Sequence, residues 1–213
     1  MKNFDIIKLK ESEAYEFMIA KVYLAKNILF SGGTTFNKFY EYCNYNSDMK
    51  KLLQKKYFIT DERLNANYKK FSNIYNFENI FLKKKNFFNI FNYDVEYQKK
   101  IILKKFASLS SNIDYCFLGF GIDGHICSLF EKSFLETNSR FEKYVLIKRY
   151  DEDFQRVSIN FELLLKIKNI LVIANNEDKF KVLKKILSGD MQKCYLSKLI
   201  NIHKGRVKLF YVN

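Results

Sequence analysis

Proline is absent from this 213-residue chain, and glycine occurs only seven times, cysteine four times and histidine twice. Without proline, no pyrrolidine ring forces a helix to end or fixes a turn, so boundaries must be read from hydrophobic periodicity and the few glycines. Cys43, Cys116, Cys127 and Cys194 are far apart and form no Cys-x-x-Cys pair. That excludes a disulfide framework and a zinc cluster and fits reduced thiols. Cys127 is read as a small packing residue, with a nucleophilic role as the alternative. The first thirty residues interleave Lys2, Asp5, Lys8, Lys10, Glu11 and Glu13 with the apolar positions, which fits neither a signal-peptide core nor a membrane span. The expectation is a soluble cytoplasmic protein with no membrane partner.

Arginine is also scarce: of 37 basic residues only Arg63, Arg140, Arg149, Arg156 and Arg206 are arginines. The net charge of +14 invites a nucleic-acid partner, but Lys, Asn, Ile, Phe and Tyr are abundant together, as an AT-rich coding sequence would produce. Lys83 to Lys85 and Lys99-Lys100 then read as solvated faces. No nucleic-acid recognition motif is present, so no such partner is expected. A basic surface does attract anionic substrates.

What is present is an α/β pattern. At 48% hydrophobic, residues 1–213 can bury one sizeable core and show no linker, which reads as a single domain. Short β-branched or aromatic runs alternate with helical-period segments, as in a Rossmann-like, largely parallel sheet flanked by helices. Strands are expected over Asn27 to Ser31, Lys56 to Thr60, Ile113 to Leu118, Tyr144 to Ile147, Arg156 to Asn160, Ile170 to Ala174 and Val207 to Val212. Helices fill most gaps, including Ser12 to Lys26 and Glu96 to Leu109. The Asn86 to Asn92 segment reads as loop or strand.

In open parallel sheets, ligands sit beyond the carboxyl ends of the strands. Four segments fall there. Ser31-Gly32-Gly33-Thr34-Thr35 would let the backbone approach an anion, or simply make a threonine-capped turn. Thr60-Asp61-Glu62-Arg63 brings two carboxylates and a guanidinium to a strand end, as a site or as a salt-bridge cluster. Gly119-Phe120-Gly121-Ile122-Asp123-Gly124-His125-Ile126-Cys127-Ser128-Leu129-Phe130 delivers an acid and an imidazole after an apolar strand, either as catalytic groups or with a buried structural histidine. Arg156 and Lys179 supply a planar fork and a point charge that together suit a phosphate monoester, or are ordinary surface cations.

Taken in order, these segments resemble the sugar-phosphate family that contains 6-phosphogluconolactonase and glucosamine-6-phosphate deaminase. The glycine-rich first loop, Asp61-Glu62-Arg63 with Ser72-Asn73, the Gly119 to Phe130 element, Arg156-Val157-Ser158, Lys179 and the final Val207 to Val212 strand all match. The chain departs from the pattern at Ile126, at Glu131 and over Leu64-Asn65-Ala66-Asn67. Ser128-Leu129-Phe130 and Arg63 are similar to the lactonase branch, whereas deaminases carry a glutamate where this chain has Phe130.

The resemblance implies hydrolysis of 6-phospho-D-glucono-1,5-lactone in the pentose phosphate pathway. It makes His125 the general base, with Asp123 orienting or polarising the site, Asp61 among the catalytic residues, and Arg63 facing the lactone end or Asp61. Ser31, Gly32, Gly33, Thr34, Arg156 and Lys179 would hold the phosphate. No metal or organic cofactor is implied, the partner is a small sugar-phosphate lactone, and the chain would be a monomer or homodimer. The alternatives are a deaminase or isomerase of an amino-sugar phosphate, with Asp61 moving a C2 proton, and a non-catalytic sugar-phosphate-binding or nucleic-acid-binding protein.

Overall fold

The computed structural model describes residues 4–64, 72–81, 95–109, 112–131, 134–135 and 143–213. Residues 86–92, Lys83 to Lys85, Asn65 to Asn67 and Arg140 lie outside them. The first half runs β1 (Ile6–Leu9), α1 (Glu11–Leu24), β2 (Asn27–Phe30), α2 (Asn37–Asn46), α3 (Met49–Leu53), β3 (Lys56–Ile59), β4 (Asp61–Arg63), α4 (Asn73–Ile80) and α5 (Val95–Ala107). The second runs β5 (Tyr115–Leu118), β6 (Phe134–Leu135), β7 (Tyr144–Lys148), β8 (Gln155–Ile159), α6 (Phe161–Lys166), β9 (Asn169–Ala174), α7 (Glu177–Ser188), α8 (Tyr195–Ile202) and β10 (Arg206–Val212). Among the described residues no helix is long and apolar enough to cross a membrane.

Six strands form a parallel sheet in the order β1-β10-β9-β5-β2-β3. Its central strands β2, β5 and β9 are largely apolar on both faces because helices cover both. Period-two alternation splits each strand between two cores: Leu29, Leu118, Val172 and Leu209 face one, while Ile28, Phe30, Phe117, Leu171 and Phe210 face the other. On the second side Phe30 stacks on Phe117, centroids 4.8 Å apart, inside a shell that includes Phe36, Phe39, Phe77 and Phe81. Helix α1 packs there through Ala14, Tyr15, Met18, Ile19 and Val22, spaced to form one stripe.

A second sheet corrects the expectation for two strands. β7 and β8 do not join the parallel sheet; they form an antiparallel sheet ordered β4-β8-β7-β6. Three described strands escaped the sequence reading, and one of them, β6, is only two residues long. β1 is four residues with partly exposed positions, and β4 is the wholly polar Asp61-Glu62-Arg63, which has no hydrophobic period to announce it. β4 leaves β3 through Thr60, whose amide donates to Phe30 and whose carbonyl accepts from Ile159. The second sheet is thereby hung over the carboxyl end of the first.

Phe117→Ala should destabilise the fold by about 3–5 kcal/mol, the usual cost of a deleted core aromatic. Urea denaturation checks this, and a loss below about 1 kcal/mol would show that the packing around Phe30 does not hold the sheet.

Candidate active site

The chain switches direction between β2 and β5: β2 leads outward to β3, and the chain later returns to place β5 on the other side. Ligand crevices in open α/β sheets form at this kind of switch. Here a cavity of about 210 Å³ opens at the carboxyl ends of β2, β5 and β9, and its wall includes Ser31, Gly32, Gly33, Thr34, Asp61, Arg63, His125, Arg156 and Lys179. Nine of the ten residues singled out from sequence thus share one cleft. The tenth, Asp123, acts from behind His125.

The loop after β5 folds back on itself, with bridges from Phe120 to Ile126 and from Ile126 to Leu129. Two backbone features permit the return. Gly124 has φ +75°, where a Cβ would lie 2.4 Å from the Cys194 sulfur, and a Cβ on Gly121 would lie 2.3 Å from the His125 ring. Cys127 holds a left-handed φ of 56° without being glycine. Cys127 also lines the cleft, but burial pushes its thiol far above the ordinary range, which disfavours the thiolate a nucleophile needs and fits the packing role.

This loop presents the imidazole. His125 Nδ1 meets Asp123 Oδ1 at 2.6 Å, and its amide donates to the same oxygen at 3.2 Å. The His125 hydrogen bond is the main reason Asp123 is held down at about 2, so the carboxylate is ionised and Nδ1 is the donor. Nε2 is left as the proton acceptor. Phe130 packs its ring 4.3 Å from the imidazole centroid, and Arg149 lies over that ring at 4.3 Å. His203 is a different object: it is buried, Nδ1 accepts from the Gly205 amide at 3.0 Å, and Nε2 donates to the Ile167 carbonyl at 2.8 Å.

The acidic strand β4 supplies the opposite wall. Asp61 is buried and committed to hydrogen bonds, accepting from Thr60 at 2.7 Å and from Ser128 at 2.7 Å. Sequence reasoning gave Asn73 no role, yet it ties the wall together. Its Nδ2 donates to the Asp61 carbonyl at 2.8 Å, while Oδ1 accepts from the Gly33 amide at 3.0 Å and lies 3.5 Å from Arg63 Nη1. The signal available was Ser72-Asn73 itself, a helix start in which Ser72 caps α4 by accepting from Tyr75 N.

The glycine-rich loop differs from expectation in two details. Helix α2 begins only at Asn37, so Gly32 to Thr35 line the cleft as loop and not as a helix terminus. The Gly33 amide is already taken by Asn73. Lys179 enters from the first turn of α7, where the helix dipole disfavours a cation, and donates to Thr35 Oγ1 at 2.8 Å. Burial holds it down at about 8. Arg156 lies directly across the β4–β8 ladder from Arg63, so two guanidinium side chains share one face. Like charges opposed in this way repel. An anion in the cleft would relieve both strains.

The sequence profile of the family described as glucosamine-6-phosphate isomerases/6-phosphogluconolactonase matches residues 17–209. The chain belongs to that family. A search of the curated proteins finds no match. Among solved structures, the fold is similar to a 6-phosphogluconolactonase from Shewanella baltica (TM-score 0.76, 19% identity, covering 100% of this chain and 99% of that one). It is also similar to the 6-phosphogluconolactonase of Thermotoga maritima (0.69, 20%, 99% of each) and that of Trypanosoma brucei (0.72, 18%, 99% and 97%). These likenesses give the family's fold over the full chain.

Nitrogen-15 spectra of the two imidazoles at a pH where both are neutral should show opposite tautomers, the proton on Nδ1 of His125 and on Nε2 of His203. Finding the same tautomer in both would contradict the site geometry.

Proposed function

We propose that this chain is a 6-phosphogluconolactonase, hydrolysing 6-phospho-D-glucono-1,5-lactone to 6-phosphogluconate. The observation that carries the reading is a single cleft holding an imidazole backed by an ionised carboxylate together with two cations, Arg156 and Lys179. His125 Nε2 takes a proton from a water whose oxygen attacks the lactone carbonyl. As the tetrahedral intermediate collapses, the ring C–O bond breaks and the imidazolium returns the proton to the departing oxygen. Asp123 keeps the ring in the required tautomer and stabilises the imidazolium. Water is split between the new carboxyl and the freed hydroxyl, and the base is regenerated.

Arg156, Lys179 and the amides of Gly32 and Thr34 hold the phosphate, with Ser31 and Gly33 shaping the loop. Ser31 does so by accepting from the Gly119 amide at 2.7 Å. Anchoring the remote phosphate converts binding energy into orientation of the carbonyl against His125. Asp61 and Arg63 line the reacting end. Deamination of an amino-sugar phosphate is disfavoured by Phe130, which sets an aromatic ring against the imidazole where the deaminase branch has a carboxylate.

Three outcomes follow. His125→Ala lowers turnover by ~10² to 10⁴, the usual worth of a general base, while His203→Ala leaves turnover nearly unchanged. Equal effects would mean the wrong histidine has been chosen. Arg156→Ala and Lys179→Ala each weaken binding by roughly 1.5–3 kcal/mol, as for a charge-assisted hydrogen bond, and abolish the preference for phosphorylated over unphosphorylated lactone. An undiminished preference removes both residues from the site.

The third concerns pH. Lys179 is charged below about 8 and neutral above it, so kcat/KM for the phosphorylated lactone should fall as pH rises through about 8, while that for the unphosphorylated lactone does not. Parallel profiles, after subtracting the hydroxide-driven background, would exclude Lys179 as a phosphate ligand.

A further inference from the structure

Arg156 is gripped on one edge. Its Nε donates to Glu152 Oε2 at 2.7 Å and its Nη2 to Glu152 Oε1, a bidentate pair in which the side chains are only 10% and 17% exposed. Arg156 lines the cleft, but Glu152 is absent from its wall. The carboxylate therefore holds the Nε side of the guanidinium from behind and leaves Nη1 and the second Nη2 proton to face a ligand. Phe130 and Phe154 pack on the guanidinium with centroids 5.6 and 5.1 Å away, closing off other orientations. Glu152 also lies 3.9 Å from Arg149 Nε, so it stands between two of the chain's five arginines.

We propose that Glu152 is a positioning residue for the anion site: it fixes the Arg156 fork in the orientation that receives the substrate's phosphate. The inference rests on the reading of Arg156 as a phosphate ligand. It makes a counter-intuitive demand on the sign of an effect. A carboxylate beside an anion site lowers the local positive potential, so if Glu152 were only a counter-charge, removing it would tighten anion binding. If it holds the fork, removing it frees a long side chain and weakens binding, because the ordering it supplied must then come from the ligand.

The probe is inorganic phosphate, titrated by calorimetry at fixed ionic strength into wild type, Arg156→Ala, Glu152→Ala, Glu152→Gln and Asp153→Asn. The last removes an exposed carboxylate from the same loop. Glu152→Ala should weaken binding about tenfold, Glu152→Gln less because it keeps one acceptor, and Asp153→Asn should not weaken it. The same Glu152 variants should raise KM for the phosphorylated lactone while leaving turnover of the unphosphorylated one unchanged, a split that general damage to the fold would not produce.

Unchanged or tighter phosphate binding in both Glu152 variants, with Arg156→Ala still impaired, overturns the proposal alone. Should Glu152→Ala fail to fold, Glu152→Gln decides by the same sign. Binding that is absent in wild type, or indifferent to Arg156→Ala, overturns both this proposal and the phosphate assignment on which it rests.

Discussion

The site depends on one buried carboxylate. Glu62 is fully buried and accepts four hydrogen bonds, from the Arg63 amide at 2.8 Å, the Asn73 amide at 3.0 Å, the Ile74 amide at 2.7 Å and the Ser72 hydroxyl at 2.8 Å. An isolated charge in such a place would cost several kcal/mol, and burial does push the carboxyl upward against the pull of these donors. The compensation is geometric. By binding the first amides of α4 and an amide of β4 together, Glu62 fixes Asn73 relative to Asp61 and Arg63. Asn73 in turn fixes Gly33. One acid that never touches the cleft thus registers three segments that do.

A division of labour among the cations follows. Lysine is plentiful and mostly solvated, giving a long-range field that favours anions without selecting one. Arginine is rare, yet Arg63 and Arg156 line the cleft and Arg149 lies over the Phe130 ring that packs on His125, each with a planar fork that donates in a defined geometry. Phe130 connects this group to the base, since its ring meets His125, Arg149 and Arg156. The half-buried Lys179, set in the first turn of α7, adds a point charge from the far side.

Much of this was legible in the sequence, for physical reasons. Gly119 to His125 stood out because glycines follow an apolar run, and β2, β5 and β9 were legible because both faces of a parallel strand must be apolar. Tyr144 to Ile147 and Arg156 to Asn160 were recognisable as strands, but the side-chain period does not say which sheet a strand joins. β4 was illegible because its strand character comes from pairing with β8, and its three polar residues carry no hydrophobic period. Asn73 and Glu152 were hidden for a related reason: their roles lie in partners 40 residues away, in one case, and in the orientation of a neighbouring guanidinium, in the other. The resemblance had already picked His125 over His203, and the structure adds the physical reason: both nitrogens of the buried His203 ring are occupied by backbone.

The central claim is that one cleft holds the two ends of the substrate at once, phosphate on Arg156 and Lys179 and the carbonyl carbon against His125. A crystal structure with 6-phosphogluconate bound measures this directly. The account predicts the phosphate within hydrogen-bond distance of Arg156, Lys179 and the Gly32 to Thr34 loop, with a carboxylate oxygen beside His125 Nε2 and Glu152 still paired to Arg156. The reverse orientation, or a phosphate seated away from both cations, would contradict it.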